Sequence, residues 1–173
     1  TTSTFVVQLL GPPSVKLAIQ KANEAGLDIN EDDLIKKSKV SEVMGSKAPV
    51  IKENDDFRKI LDTFAQNDRL YFPVENGEGE FKGVISVEAA KELFFNSDLA
   101  EFLLAHDIME VPARKAAFDD SLLEIKKIMD TEMLDYVPIF EGGKFTGLLN
   151  RKSISRHIAS KMAELRRRAS SLE

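Results

Sequence analysis

Apolar residues recur at helical spacing in two separate segments of the chain. The apolar positions at i, i+3 and i+7 are Phe57, Ile60 and Phe64 in the first segment and Leu122, Ile125 and Met129 in the second. This spacing is typical of one buried face of an amphipathic helix. We therefore predict a helix over each segment, with the same face turned to a core.

A pair of short strands follows each predicted helix. Residues 71–74 and 81–86 form the first pair, and residues 136–139 and 145–150 form the second. The turns between them contain Asn and Gly, which accept the positive φ angles of tight hairpins, so each pair should be antiparallel. Ser86 and Asn150 end the second strands where a further helix should begin, a position at which short polar side chains cap backbone N–H groups.

The two segments are copies of one unit. Val43-Met44 recurs as Ile108-Met109 and Phe72-Pro73-Val74 recurs as Val137-Pro138-Ile139, both at an offset of 65 residues. Each copy has the predicted order strand, helix, strand, strand, helix. An internal repeat of this kind predicts a fold built from two equivalent halves.

Composition narrows the class of protein further. The 173 residues are 43% hydrophobic and 31% charged, close to the average of globular proteins. With 24 Lys and Arg against 29 Asp and Glu, the net charge of −5 argues against nucleic acid as a partner. The chain has no Cys and only two His, which excludes disulfides, thiolate nucleophiles and histidine-rich metal sites. No apolar run reaches the length of about 20 residues that spans a bilayer.

Catalytic motifs are missing from the sequence. There is no nucleophile elbow, no phosphate-binding glycine loop followed by Lys-Ser/Thr, and no carboxylate–histidine cluster with metal-ligand spacing. We interpret His106 and His157 as structural residues. The protein is therefore predicted not to be an enzyme, and no residues are assigned as metal ligands.

The paired units resemble a known module. Three motifs occur twice, in the same order, between residues 40 and 160: hydrophobic-Met at the start, hydrophobic-Pro-hydrophobic in a strand, and Gly-hydrophobic-hydrophobic-polar at the end. This arrangement resembles a pair of CBS domains, the Bateman module. The resemblance implies an α/β (α+β) fold with two tandem β-α-β-β-α repeats, related by a pseudo-two-fold axis and preceded by a helical linker. The expected domains are the end of a membrane-helix region with the linker (1–39), the first repeat (40–104), the second repeat (105–160) and a C-terminal helix end or tail (161–173).

The N-terminal segment has its own resemblance. Three stretches are similar to the end of the last membrane helix and the following linker of bacterial cation:proton antiporters of the sodium/hydrogen exchanger type. They are Phe5-Val6-Val7-Gln8-Leu9-Leu10-Gly11-Pro12-Pro13, residues 21–27 and Glu31-Asp32-Asp33-Leu34. Pro12-Pro13 stops an incoming helix, a new helix is predicted to end at Gly26, and residues 27–39 form an acidic connector. The resemblance implies a fragment of a membrane protein at the cytoplasmic face of the bacterial inner membrane, with the antiporter's own membrane domain as partner.

The module also implies ligand sensing. CBS pairs bind adenosine-containing molecules in two clefts between the repeats, where the family often places Ser or Thr three residues after the Gly and Asp three residues further on. Here the first repeat has Gly83, Ser86 and Ala89, and the second has Gly147, Asn150 and Ser153, so the ribose-binding carboxylate is absent from both. No cofactor is required, and AMP, ADP, ATP or a related nucleotide is the expected ligand. The expected cleft residues are Val50, Tyr71, Pro73, Ser86, Arg114, Lys115, Asp135, Tyr136, Pro138, Asn150, Arg151 and Ser153.

Each of these chemical assignments has a plainer alternative. The basic residues Arg114, Lys115, Arg151 and Lys152 can bind phosphates or be solvated surface charges. Tyr71 and Tyr136 can flank an adenine or cover the core, and Asp135 can replace the missing ribose acceptor. The acidic groups at 31–33, 55–56 and 119–120 can attract Mg²⁺, or they can act as ordinary helix caps.

Taken together, these observations predict a non-catalytic regulatory domain of a cation:proton antiporter that senses an adenosine-containing ligand or the energy or ionic state of the cell. CBS pairs generally form flat homodimers through their helices. The apolar residues expected in that interface are Leu93, Phe94, Phe95, Leu103 and Leu104. The alternatives are a structural dimerisation platform with degenerate clefts, a Mg²⁺-sensing pair, or a CBS pair from a soluble enzyme or another transporter.

Overall fold

The computed structural model of the protein describes residues 30–44, 48–96 and 102–170. The described residues form two compact units. One holds residues 38–157, and therefore most of both repeats; the other holds residues 30–37 and 158–170. No helix among the described residues combines the length and the apolar character needed to cross a membrane.

The first repeat is a three-stranded sheet with helices packed against it. The central strand, β2 (Tyr71–Glu75), is parallel to β1 (Ile51–Lys52) and antiparallel to β3 (Phe81–Ser86). The elements up to the end of this repeat are α1 (Glu31–Lys37), α2 (Val40–Val43), β1 (Ile51–Lys52), α3 (Phe57–Ala65), β2 (Tyr71–Glu75), β3 (Phe81–Ser86) and α4 (Val87–Asn96).

The second repeat has the same order and topology. Its central strand, β5 (Tyr136–Glu141), is parallel to β4 (Ala116–Ala117) and antiparallel to β6 (Lys144–Asn150). The elements are α5 (Ala105–Ile108), β4 (Ala116–Ala117), α6 (Leu122–Thr131), β5 (Tyr136–Glu141), β6 (Lys144–Asn150) and α7 (Arg151–Ser170). The α+β fold of two tandem repeats is therefore confirmed.

The periodic apolar residues lie where their spacing predicts. Of the six, five are buried, and Phe64 is half-buried with its ring 4.6 Å from that of the fully buried Phe72. The hairpin glycines also behave as predicted, because Gly79, Gly142 and Gly143 have φ angles of 79°, 55° and 81°. An L-residue adopts such values only with strain.

A methionine near the start of each repeat packs against a strand of the other repeat. Met44 of the first repeat lies against Gly147 of β6, and Met109 of the second lies against Gly83 of β3. The backbone of Glu110 also forms two hydrogen bonds of 2.9 Å with Val84 of β3. Each repeat thus completes the packing of the other, so residues 38–157 fold as one unit.

Several N-terminal expectations fall at the edge of the described chain. The predicted helix ending at Gly26 lies outside the described residues. The predicted acidic connector contains the helix α1, whose first turn holds Glu31, Asp32 and Asp33. Carboxylates at this end are favoured by the helix dipole.

The apolar residues of the expected dimer interface differ in their exposure and in the elements that carry them. Phe94 and Phe95 lie on α4 and are 57% and 78% exposed. Leu103 and Leu104, which we expected on a closing helix, instead lie in the segment just before α5 and are half-buried. The prediction of their helical position was wrong, because neither residue is in a helix and Leu104 is the N-cap of α5.

Candidate functional site

A cleft of about 470 Å³ opens where β6 ends and α7 begins. The first repeat contributes Met44 and Ala48, which follow α2, and the residues from 68 to the first residue of β2. The second repeat contributes residues of β6 and α7 and the residue before β5. The lining residues are Met44, Ala48, Asp68, Arg69, Leu70, Tyr71, Asp135, Gly147, Leu148, Asn150, Arg151, Lys152, Ser153 and Arg156. A ligand here would contact both repeats at once.

Asn150 and Ser153 form the cap of α7 at the edge of the cleft. The Asn150 Oδ1 atom accepts the backbone N–H of Ser153 at 2.8 Å, and the Ser153 hydroxyl donates to the Asn150 carbonyl at 2.7 Å. Both residues were predicted as ligand-binding, and both line the cleft. Their oxygen atoms are engaged in the cap, so the Asn150 side-chain amide N–H groups are the donors that this pair still offers.

The start of α7 concentrates positive charge. The Arg151 guanidinium donates to the Asp130 carboxylate at 2.6 Å and to the Met129 carbonyl at 2.7 Å, which fixes its position. Lys152 and Arg156 are exposed and lie one helical turn apart. Within the described residues, the side chains of Lys152 and Arg156 form no hydrogen bond or ion pair.

Two carboxylates balance part of this charge. Asp68 and Asp135 both line the cleft. An Asp135 carboxylate oxygen lies 3.8 Å from the Arg151 Nε atom, and the Asp135 carbonyl accepts the Arg151 backbone N–H. Asp135, predicted to be a substitute for the ribose acceptor, is therefore present in the cleft and remains exposed.

The two tyrosines pack on each other. Their ring centroids are 4.8 Å apart, and Tyr71 lines the cleft, whereas Tyr136, also predicted as a cleft residue, does not. Burial raises the pKa of Tyr136 to about 12. Burial, together with the negative charges of Asp135, Glu88 and Glu110, also raises the pKa of Tyr71. Both phenols therefore stay protonated near neutral pH and can donate a hydrogen bond.

The other predicted cleft residues lie outside this cavity. Ser86 accepts the N–H of Ala89 at 3.1 Å and caps α4. Arg114 binds the Glu132 carboxylate through two nitrogens, at 2.6 to 2.9 Å, and the Lys115 ammonium lies 5.1 Å from the centroid of the Phe140 ring. The predicted residues that also do not line the cavity are Val50, Pro73 and Pro138.

Sequence reasoning missed several residues of the cleft. Arg69 precedes β2 and Arg156 lies in the second turn of α7, six positions after Asn150. The spacing of Lys152 and Arg156, four residues apart on a predicted helix beginning at 151, was the available signal that they share a face.

The acidic pairs serve the local structure. The Asp56 carboxylate accepts the Lys59 N–H at 2.8 Å and caps α3, and the Asp120 carboxylate accepts the Ala117 N–H at 2.7 Å. Asp55 pairs with the Lys59 ammonium at 2.6 Å. Among the described residues, no group of three or more His, Cys, Asp or Glu side chains is arranged to hold a metal ion.

Comparison with known proteins gives one family match. Residues 40–94 and 105–160 each match the family model described as the CBS domain. No curated protein sequence matches the chain at a significant level.

Solved structures with the same fold share little sequence with this chain. The CBS domain of a CBS domain containing membrane protein from Sphaerobacter thermophilus has a TM-score of 0.64 at 17% identity, covering 81% of this chain and 96% of that one. The CBS domain of the bacterial CNNM/CorC family Mg²⁺ transporter in complex with ATP has a TM-score of 0.64 at 14% identity, covering 75% and 92%. CBSX2 in complex with AMP has a TM-score of 0.61 at 18% identity, covering 73% and 98%.

Proposed function

Because this chain belongs to the CBS domain family and carries the family's unit twice, we propose that it is a non-catalytic regulatory module that senses an adenosine-containing ligand in the cleft at the start of α7. The observation that carries the proposal is the lining of that cleft. Four cationic side chains, Arg69, Arg151, Lys152 and Arg156, converge there in a chain whose net charge is −5. Anionic ligands gain electrostatic energy in such a site.

The lining offers a partner to each part of an adenine nucleotide. Lys152 and Arg156 supply charge for phosphates. Asp135 supplies the carboxylate that ribose hydroxyl groups need, from the strand β5 side rather than from the helix position where the family usually has it. Tyr71 and Leu148 supply apolar surface for a base. The similar structures in complex with ATP and AMP support this chemistry.

Regulation would follow from the position of the cleft between the repeats. Arg69 and Tyr71 belong to the first repeat, whereas Asn150 and Arg156 belong to the second. A ligand that contacts both binds one arrangement of the repeats better than another and shifts the equilibrium between them. The shift is limited by the ligand's differential affinity.

The wider context is part of the same proposal. We place the module at the cytoplasmic face of the inner membrane of a bacterium, as part of a sodium/hydrogen-type cation:proton antiporter, with residues 14–39 linking it to the membrane domain. The exposed Phe94 and Phe95 rings, with ring centroids 5.5 Å apart, support a homodimer formed through α4. Neither nucleic acid nor a catalysed reaction is part of this role.

Thermal unfolding with a panel of ligands tests the proposal. A ligand at about 100 times its dissociation constant adds roughly 2.7 kcal/mol to the free energy of unfolding, which raises Tm by about 5–10 °C for a chain of this size. The panel is AMP, ADP, ATP, cyclic di-AMP, S-adenosylmethionine and Mg²⁺. We expect a saturable rise with an adenosine compound that is lost in Asp135→Asn and kept in Asp119→Asn, a matched change at an exposed carboxylate outside the cleft.

A second candidate function is a structural dimerisation platform. It is favoured by Ala89 at the usual carboxylate position of the first repeat and by the engagement of the Asn150 and Ser153 oxygens in the α7 cap. In that case the folded protein would show no Tm shift with any nucleotide. A response to Mg²⁺ alone would instead favour a Mg²⁺-sensing pair.

A further inference from the structure

The helices that follow the second strands of the two repeats differ in charge at equivalent positions. The first, second and sixth residues of α7 are Arg151, Lys152 and Arg156, and those of α4 are Val87, Glu88 and Glu92. At two equivalent positions, α4 of the first repeat therefore has carboxylates, whereas α7 of the second repeat has an ammonium and a guanidinium.

The cations of α7 form one face of the described cleft. Residues four apart on a helix are neighbours, and Lys152 and Arg156 both line the cavity. The Arg151 guanidinium lies beside them, held by its ion pair with Asp130. Arg69 adds a fourth cation from the first repeat. Among the described residues, two carboxylates, Asp68 and Asp135, line the same cavity, so the lining side chains carry more positive than negative charge.

The equivalent place at the start of α4 has the opposite character. Glu88 takes the position of Lys152, and its negative charge reaches Tyr71, because it contributes with Asp135 and Glu110 to raising the pKa of that tyrosine after the larger effect of burial. Leu70, which is 56% exposed, takes the position of Asp135. Ala89 takes the position of Ser153. An anion at the start of α4 would therefore meet carboxylates and apolar side chains.

We propose that each chain binds a single ligand, in the α7 cleft only, and that the ligand carries at least two phosphates, which Lys152 and Arg156 select. This inference rests on the proposed function and specifies the ligand class and the stoichiometry of that site. A single phosphate group presents its charge to one of these two side chains. A di- or triphosphate extends along the helical turn that separates the two side chains.

Titration calorimetry of the whole chain with AMP, ADP and ATP tests the inference. We expect one ligand bound per chain, and ATP bound at least about tenfold more tightly than AMP, equivalent to about 1.4 kcal/mol. The preference should shrink as salt is raised, because screening weakens exposed charge interactions. Two ligands per chain, or equal affinities for AMP and ATP, would overturn the inference while leaving the proposed function intact.

Charge variants assign the effect to residues. The double variant Lys152→Glu with Arg156→Glu should lose the preference for ATP over AMP, whereas Glu88→Gln with Glu92→Gln should keep both the preference and the stoichiometry. Circular dichroism and unfolding curves establish that each variant is folded. A double variant at 152 and 156 that is folded and still prefers ATP would contradict the role of the two cations.

Inorganic tripolyphosphate separates this inference from the proposed function. If the wild-type chain bound none of the nucleotides, the proposed sensing of adenosine compounds would fail. One tripolyphosphate bound per chain, and lost in Lys152→Glu with Arg156→Glu, would still support selection of a polyphosphate by the α7 cations. Absence of binding by tripolyphosphate and nucleotides alike would overturn the inference as well.

Discussion

Substituting Gly83 of β3 tests the packing of Met109 and Glu110, from the second repeat, against the first repeat. In Gly83→Ala, the new Cβ would lie 2.7 Å from the Glu110 carbonyl oxygen and 3.1 Å from the Cγ and Sδ atoms of Met109. Real Cβ atoms do not approach a backbone oxygen so closely. The Glu110 backbone is also held by two hydrogen bonds to Val84, each 2.9 Å long, so it cannot move aside without weakening them.

The cost follows from these contacts. Overpacking of a filled core costs about 1–3 kcal/mol, and weakening a backbone hydrogen bond costs about 0.5–1.5 kcal/mol. Alanine recovers about 0.4–1 kcal/mol by reducing the entropy of the unfolded chain. We expect Gly83→Ala to lower the free energy of unfolding by about 2–3 kcal/mol, which lowers Tm by about 5–10 °C.

The glycine of β6 is the matched control. In Gly147→Ala the new Cβ would lie 2.6 Å from the Cε atom of Met44. This methyl group ends a flexible side chain that can rotate away, and the entropy gain offsets part of the cost. We expect the free energy of unfolding to change by less than about 1 kcal/mol, measured for both variants by urea and thermal unfolding. A loss in Gly147→Ala as large as that in Gly83→Ala would refute the reasoning.

Three further variants test the core, a helix cap and an ion pair. Phe72→Ala removes a fully buried ring and should lower the urea-derived free energy of unfolding by about 3–5 kcal/mol. Asp56→Ala removes the cap of α3 and should cost about 1 kcal/mol in the same assay. Hydrogen bonds from Lys126 and Arg151 lower the pKa of Asp130, so its contribution to stability is present above the ordinary carboxyl pKa of about 4 and is lost as pH falls through the lower folded value. Unfolding midpoints measured between pH 3 and 6 should therefore show Asp130→Asn less stable than wild type at pH 6 and converging with it at the acidic end.

The periodic pattern was sufficient to predict the units of the fold. The spacing of Phe57, Ile60 and Phe64 placed α3, and the capping residues Ser86 and Asn150 placed the ends of β3 and β6, because these features depend on local backbone geometry. The packing of Met44 and Met109 against the opposite repeat could not be predicted in the same way. A repeat reveals which residues are equivalent, but it does not reveal whether each packs in its own copy or in the other.

The cleft was predictable only in part. Asp135, Asn150 and Arg151 were found because they adjoin the strand-to-helix junction that the repeat defines. Arg69 was missed because it reaches the cleft through the packing of one repeat on the other, which the sequence does not encode locally. Arg114 was assigned to a ligand from its charge alone, whereas its charge is matched by Glu132, a residue 18 positions later that caps the C-terminal end of α6.

The most direct test of the central claim is the two-dimensional amide NMR spectrum of the chain titrated with ATP. Binding in the α7 cleft predicts concentration-dependent shifts that are largest at Lys152, Ser153 and Arg156. The shifts at the amides of Ser86 and Glu88 should be smaller, because these residues feel the ligand only through Tyr71, which pairs with Ser86 across β2 and β3. The pseudo-symmetry of the fold makes these two groups of residues internal controls for each other. Shifts centred on Ser86 and Glu88, or a spectrum that ATP does not alter, would contradict the assignment of the ligand to the cleft at the start of α7.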